Sequence, residues 1–220
     1  MGLGHSPSIV MDGLVFQIDA GNSRCYSGSG NTVNGLVGIG GTLVNGVGFT
    51  STNSGSFTFD GTNDYIVIPT SSAFDLGTGS ATIIAWFKTT TTFEKCIVSK
   101  RNNTGFQLYV LSSKLYADGA SIAAQSFLNV NTGNNVFGAA VYDRTNSLLR
   151  MYVNGKEDGN SFLGATTLTD TANINVGRAT LTAPRDYFDG TIYQIFIYNR
   201  ALTAQEIRQN YNATKKRYGL

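Results

Sequence analysis

The chain has 220 residues, of which 41% are apolar and 14% are charged, with a formal net charge of +2. Its 13 Phe and 11 Tyr residues can form a sizeable core, which excludes a disordered chain, and the small net charge predicts no nucleic-acid partner. No stretch approaches the ~18 consecutive apolar residues of a membrane span, and the N-terminus lacks a signal-peptide pattern, so we expect no membrane partner.

Alternating apolar residues predict strands from the first part of the chain onward. Residues 56–59 alternate, a polar turn follows at 60–64, and residues 65–68 alternate again, which we interpret as a hairpin with a loop. The other predicted strands lie at residues 15–18, 81–88, 96–98, 106–111, 115–116, 136–142, 148–153, 174–176 and 187–198. Many short strands separated by turn signals indicate a sandwich or a barrel.

Three local signals refine these strand predictions. Asn154-Gly155 separates two strand segments and favours positive φ at both residues, which is the strongest hairpin signal in the chain. Gly190 lies inside the last strand, as expected of a bend or bulge. The sole tryptophan, Trp86, lies in an apolar central strand, so we expect it in the core.

One amphipathic helix is predicted at the end of the chain. Thr203 is the N-cap and Glu206 follows three residues later, which together make a capping box. Ile207 and Tyr211 lie on one face at four-residue spacing, and basic residues 215–217 complement the C-terminal end of the helix dipole. We therefore expect this helix to pack beside the strands with Ile207 and Tyr211 buried.

The chain is predicted to form one domain, because no composition shift or Pro-rich linker divides it. Residues 1–12 form an N-terminal arm, residues 13–202 the β-sandwich, and residues 203–220 the C-terminal helix and tail packed on the sandwich. Cys25 and Cys96 could form one disulfide or remain two small buried side chains, and their spacing fits no zinc site.

Four segments resemble concanavalin A-like, laminin G-like domains. Residues 57–69 are similar to the early hairpin of those domains, and residues 81–88 to the central strand that follows. Residues 141–155 resemble their hairpin ending in Tyr-Val-Asn-Gly, and residues 188–207 their closing strand and terminal helix. The resemblance covers roughly residues 10–220. It implies an all-β fold, a concanavalin A-like antiparallel β-sandwich (jelly roll) with one short C-terminal helix.

The two ends of the chain resemble a smaller group within this family. Residues 13–22 and 210–220 are similar to small laminin G-like proteins of tailed bacteriophages. This implies a virion structural protein, either a capsid decoration or a fibre-associated protein on the particle surface. Its partners would be other virion proteins, and we expect a homo-oligomer within the particle. The low share of charged residues suits a protein packed in an assembly.

Basic residues near the C-terminus are candidates for docking on an acidic partner. They are Arg208, Lys215, Lys216 and Arg217. The alternative is that they form an ordinary solvated helix end. If they dock the protein, removal of residues 211–220 is expected to release it from particles and leave the sandwich folded.

A lectin-like module that recognises host surface polysaccharide is the alternative function. Members of the resembled family often bind glycans, and a sugar site needs aromatic faces beside polar groups. Tyr109, Tyr116 and Tyr187 are the candidates for such contacts, or for contacts with a protein partner, since tyrosine suits both environments.

Calcium is a second ligand that the resemblance suggests, because many family members hold one ion through loop oxygens. Asp60 and Asp64 are the candidate ligands. The closing strand has Tyr193-Gln194 where relatives often carry an acid, which weakens this hypothesis. The alternative is that Asp60 and Asp64 accept hydrogen bonds within their own turn.

The resembled fold family includes glycoside hydrolases, which need two carboxyl groups ~5–9.5 Å apart. The chain has three glutamates, Glu94, Glu157 and Glu206, and none has a second acid two residues away. The one histidine, His5, lies in the N-terminal arm, where a rigid catalytic triad is not expected. The sequence therefore predicts a protein that is not an enzyme.

Overall fold

A computed structural model describes residues 7–119, 122–164, 167–180 and 186–220. His5 lies outside the described residues. The strands are β1 (Leu14–Asp19), β2 (Thr32–Val33), β3 (Gly41–Val44), β4 (Gly48–Thr50), β5 (Ser56–Asp60), β6 (Tyr65–Ile68), β7 (Ala81–Lys88), β8 (Lys95–Lys100), β9 (Phe106–Leu111), β10 (Lys114–Gly119), β11 (Ile122–Asn129), β12 (Val136–Asp143), β13 (Leu148–Val153), β14 (Lys156–Phe162), β15 (Ile174–Val176) and β16 (Asp189–Tyr198). The helix α1 spans Ala204–Thr214, and short 3₁₀ helices lie at Thr52–Ser54, Ser72–Phe74 and Lys215–Tyr218.

The strands form two antiparallel sheets. Sheet A has the order β14-β13-β12-β7-β16-β5-β4, with β1 paired to β16, and sheet B has the order β11-β10-β9-β8-β15-β6-β3-β2. The fold class inferred from the resemblance, an antiparallel β-sandwich with one short C-terminal helix, is confirmed. In the described part of the chain, no helix is long and apolar enough to cross a membrane.

The main core lies between the two sheets, because alternate residues of each strand face inward. Phe57 and Phe87 of sheet A are buried there beside Leu108 of sheet B. The intervening side chains of β9, such as Tyr109, belong to a separate small cluster on the outer face of sheet B. The period of two therefore determines which side chains of β9 face the core and which lie on the outer face of sheet B.

A second apolar cluster covers the outer face of sheet A, where α1 and the C-terminal 3₁₀ helix pack. Trp86 is fully buried and donates a 2.8 Å hydrogen bond from Nε1 to Thr214 Oγ1. Ile207 is fully buried, whereas Tyr211 is half-buried and stacks on Trp86 at 5.9 Å. The expected core position of Trp86 is confirmed, although its core is this second cluster.

The capping box at the start of α1 is confirmed. Thr203 Oγ1 accepts a hydrogen bond from the backbone N–H of Glu206, and Glu206 Oε2 accepts one from the N–H of Thr203. Arg200 also binds the Glu206 carboxylate at 2.6 Å, and this hydrogen-bonded ion pair lowers the pKa of Glu206 to about 2. The acid is therefore a structural residue of the helix start.

The predicted hairpin over residues 56–68 is wrong. Strand β5 belongs to sheet A and β6 to sheet B, so the turn between them carries the chain from one sheet to the other. Both strands alternate in the same way, and each faces the shared core, so alternation alone does not distinguish a hairpin from a crossover. The second predicted hairpin is confirmed, since Asn154 and Gly155 have φ of 50° and 75° between β13 and β14.

Four strands escape the sequence patterns, namely β2, β3, β4 and β11. Strand β11 has the sequence Ile-Ala-Ala-Gln-Ser-Phe-Leu-Asn, in which the small inward residues hide the alternation. It lies against β14 of sheet A, where a Cβ on Gly159 would be 2.1 Å from the carbonyl oxygen of Gln125. Glycine at residue 159 therefore allows the two sheet edges to meet on this side.

Both cysteines are buried free thiols. Cys25 lies in the main core, where its Sγ accepts a 3.3 Å hydrogen bond from the backbone N–H of Asp19. Burial raises the pKa of the Cys25 thiol to about 11, so this side chain is a packed hydrophobe rather than a nucleophile. The choice that the sequence leaves open is thus decided against a disulfide.

Candidate binding face

Two of the three predicted contact tyrosines meet on the outer face of sheet B. Cys96, Tyr109 and Tyr116 are paired in register across β8, β9 and β10. The rings of Tyr109 and Tyr116 are nearly parallel, with centroids 5.4 Å apart and an interplanar angle of 26°. Tyr109 is only 7% exposed, whereas Tyr116 is half-buried and presents part of its ring to solvent.

Polar side chains flank this pair of rings. Gln125 is exposed on β11 directly opposite Tyr116, and Asp118 lies two residues from Tyr116 on the same face of β10. We call the surface formed by Tyr109, Tyr116, Asp118 and Gln125 the tyrosine face. Arg101 Nη1 binds Asp118 Oδ2 at 2.6 Å, which fixes the carboxylate at the edge of this face.

The carboxyl group of Asp118 is held in an unusual electrostatic setting. Burial raises its pKa to about 6, and this effect outweighs the opposing attraction of Arg101, while Glu94 adds a smaller rise. In the described part of the chain, neither Asp118 Oδ1 nor Oε1 of Gln107, its neighbour on β9, has a hydrogen-bond donor. The face therefore has acceptor oxygens beneath its aromatic surface.

The third candidate, Tyr187, lies apart from the pair. It is half-buried and follows Asp186, whose carbonyl oxygen accepts a 2.8 Å hydrogen bond from the backbone N–H of Cys96. This bond places Tyr187 near the start of β8. Among the described residues, no aromatic contact joins Tyr187 to Tyr109 or Tyr116.

Sequence reasoning finds the tyrosines but misses the polar part of the face. A strand over residues 106–111 already implies that Gln107 and Tyr109 share a side, because side chains alternate. The pairing that puts Asp118 opposite Gln107 and Gln125 opposite Tyr116 depends on register between strands. No signal in the sequence sets that register, and β11 itself is not predicted.

Asp60 and Asp64 make the turn bonds that the sequence analysis gives as the alternative to calcium binding. Asp60 Oδ1 accepts a 2.8 Å hydrogen bond from the N–H of Thr62, and this bond is the main reason that the pKa of Asp60 is lowered. Asp64 Oδ2 accepts from the N–H of Asp60 at 3.2 Å, while burial raises the Asp64 pKa. Across the described ranges, no group of three or more His, Cys, Asp or Glu side chains is arranged to hold a metal. Calcium binding here stays a prediction.

The predicted docking residues have different environments. Arg208 and Lys216 are exposed, and Lys215 is half-buried with Nζ 5.2 Å from the ring of Tyr211. Arg217 instead binds the buried carboxylate of Asp19 through two hydrogen bonds of 2.7 and 3.0 Å. Arg217 therefore ties the C-terminus to β1, and docking of a partner by these basic residues stays a prediction.

The family model described as the concanavalin A-like lectin/glucanases superfamily, of laminin G type, matches residues 60–208. This range is more than half of the chain, and the chain belongs to that family. The resemblance stated from the sequence is thereby confirmed. No curated protein matches the sequence.

Solved structures with the same fold include binding domains of botulinum neurotoxins and of a mosquitocidal protein. The binding domain of Paraclostridial Mosquitocidal Protein 1 has a TM-score of 0.72 and 14% identity, covering 91% of this chain and 52% of that chain. The binding domain of Botulinum Neurotoxin DC in complex with SialylT has a TM-score of 0.68 and 12% identity, covering 92% and 52%. The binding domain of Botulinum neurotoxin DC in complex with rat synaptotagmin II has a TM-score of 0.67 and 12% identity, and the match covers 91% of this chain and 51% of that chain. The chain thus spans about half the length of these domains, and the likeness establishes the fold.

Proposed function

We propose that this protein is a non-catalytic, lectin-like module that binds a saccharide at the tyrosine face. The observation that carries the proposal is the stacked pair of Tyr109 and Tyr116, with Gln125 and Asp118 beside the accessible ring. A tyrosine ring offers an apolar surface to the C–H groups of a sugar, and neighbouring amide and carboxylate oxygens accept hydrogen bonds from its hydroxyl groups. Aromatic surface with a few polar groups is the usual composition of a small-molecule site.

The toxin binding domains support a binding role of this general kind. One was solved in complex with SialylT and another in complex with rat synaptotagmin II, so those domains take a ligand or a protein partner. Because this chain spans about half of each, we carry over the general role of binding and none of their contacts.

The chemistry at the tyrosine face favours binding over cleavage. Glycoside hydrolysis uses two carboxyl groups that flank the scissile bond. Here the Asp118 carboxylate is held by Arg101, and the residue opposite it on β9 is the amide Gln107. A face with one paired carboxylate can orient a sugar hydroxyl, and we propose no reaction at it.

The proposal is tested by replacing the accessible ring. Tyr116→Ala should weaken binding to the best ligand of a glycan array about fivefold or more, because the lost stacking is worth about 1 kcal/mol or more. Tyr65→Ala is the matched control, since Tyr65 is also half-buried on sheet B but lies on β6 beneath Arg178. Equal affinities of the wild type and Tyr116→Ala in isothermal titration calorimetry would reject the tyrosine face as the site.

A virion structural role on the particle surface is the second candidate function. It rests on the resemblance to tailed-bacteriophage proteins and on large exposed apolar side chains, since Phe162 on β14 is 70% exposed and Leu128 on β11 is 57% exposed. Phe162 and Leu128 lie at different points along the edge where β14 meets β11, and exposed apolar surface of this kind is typical of protein interfaces. The two roles are compatible, because a particle-surface protein can also attach to host glycans.

A further inference from the structure

A bulge interrupts β11 beside the tyrosine face. Tyr116 pairs with Gln125 and Lys114 pairs with Asn129, so the one residue Leu115 of β10 faces three residues of β11. Two of those three residues are large and apolar, and they are exposed to solvent, Phe127 by 72% and Leu128 by 57%. Bulges of this kind re-aim side chains and often lie next to functional sites.

Side-chain hydrogen bonds hold the bulge in one conformation. Ser126 Oγ accepts a 2.9 Å bond from the N–H of Leu115 and donates a 2.9 Å bond to the carbonyl oxygen of Leu128. Asp158 Oδ2 accepts a 2.9 Å bond from the N–H of Leu128, and Lys114 Nζ donates to the carbonyl oxygen of Phe127. The carbonyl oxygens of Phe127 and Leu128 and the N–H of Leu128 thus have partners within the protein. Phe127 is presented on a fixed support, which lowers the entropy cost of using its ring.

The position of Phe127 continues the tyrosine face. Residues 123, 125 and 127 of β11 are exposed while residues 124 and 126 are buried, so the alternation places Phe127 on the same side as Gln125. Since Gln125 lies opposite Tyr116 and Phe127 follows Gln125 by two residues, Phe127 lies beyond Gln125 along β11, next to the tyrosine face. Two separate aromatic surfaces therefore lie along one side of sheet B.

We infer that Phe127 and Tyr116 form a two-ring platform whose ligand is a saccharide chain of at least two linked units. This inference rests on the proposed function. A single sugar ring covers one aromatic ring, so two rings displaced along the sheet are used together only by consecutive units of a chain. Linking two contacts in one ligand raises affinity beyond either contact alone, because the second contact becomes intramolecular.

The test uses the purified full chain and length series of one to six units prepared from dextran, mannan and laminarin. The wild type should bind three or more units of its preferred series at least about tenfold more tightly than one unit. Phe127→Ala should remove most of that gain while retaining the weak binding of the single unit. Phe162→Ala is the matched control, because Phe162 is equally exposed on β14, and it should behave as the wild type.

The outcomes separate this inference from the proposed function. The two-ring platform is overturned if affinity is independent of saccharide length, or if Phe127→Ala keeps the full gain in affinity with length. In either case, loss of binding in Tyr116→Ala still supports the proposed lectin-like module. Absence of binding to every series overturns both. Circular dichroism should show the same fold for Phe127→Ala as for the wild type, because the replaced ring is exposed and the hydrogen bonds of the bulge are retained.

Discussion

Asp118 contributes to the stability of the fold and also belongs to the proposed binding site. Its carboxyl group is a candidate hydrogen-bond acceptor for a ligand, and burial raises its pKa from the ordinary value of 3.8 to about 6. Because the pKa is higher in the folded protein than in the unfolded chain, the folded state binds the proton more readily. The stabilisation that this provides is fully present below about pH 4 and is lost as the pH rises to about 6.

The pH dependence of stability should therefore change in Asp118→Asn, which cannot titrate. Relative to this variant, the free energy of unfolding of the wild type should fall by about 3 kcal/mol between about pH 4 and pH 7, since each pKa unit corresponds to about 1.4 kcal/mol. Urea unfolding of both proteins at several pH values measures the difference. A difference that stays constant over this range would show that Asp118 titrates normally.

At the scale of elements, the C-terminal helix and tail form part of a core. Tyr218 is 5% exposed and its ring lies 4.5 Å from that of Trp86, while Thr214 satisfies the buried indole N–H. Arg217 adds the ion pair with Asp19. The helix therefore seals the outer face of sheet A, which is a larger role than the amphipathic pattern implies.

Removal of residues 211–220 should consequently destabilise the sandwich, in contrast to the expectation from sequence. Loss of Tyr218 and of the hydrogen bond to Trp86 should cost at least about 5 kcal/mol, because a buried aromatic ring and a buried N–H lose their partners. Thermal unfolding followed by circular dichroism measures the loss. A truncated protein with an unchanged melting temperature would contradict the packing of this tail.

Docking by the basic residues of this C-terminal segment is tested by substitutions that leave the packing of the segment intact. Arg208 and Lys216 are exposed, so Arg208→Ala with Lys216→Ala should leave stability within about 0.5 kcal/mol. This double variant is the control for the truncation, and it separates docking on an acidic partner from folding.

At the scale of the whole molecule, the two sheets differ in what covers them. Sheet A has the main core on one face and the helix cluster on the other, whereas sheet B presents Tyr116 and Gln125 to solvent on its outer face. The outer face of sheet B is therefore the accessible sheet face, and the proposed site lies there. The edge where β11 meets β14 adds exposed Leu128 and Phe162, which are available for assembly.

The virion hypothesis predicts association of the whole molecule through that edge. Sedimentation velocity of the wild type should show oligomers that Phe162→Ser weakens, because the side chain would lose its apolar contact with a neighbouring copy. Phe93→Ser is the control, since Phe93 is 75% exposed outside strands β11 and β14. A monomer at high concentration would weigh against self-association as the basis of assembly.

The sequence alone determined the features that depend on near neighbours. Alternation identified most strands, Asn154-Gly155 identified a hairpin, and Thr203 with Glu206 identified the helix start. Each of these depends on φ preference, side-chain period or a hydrogen bond over a few residues, and such interactions are encoded locally.

Tertiary structure alone decided which sheet each strand joins and which side chains meet across strands. The crossover between β5 and β6, the pairing of Tyr116 with Gln125 and the bulge that presents Phe127 all depend on register between segments. Register is selected by burial of the whole core rather than by any one strand, because a shift of one residue would turn every side chain to the opposite face. The tyrosine face is therefore a property of the packed sandwich, although its tyrosines were visible in the sequence.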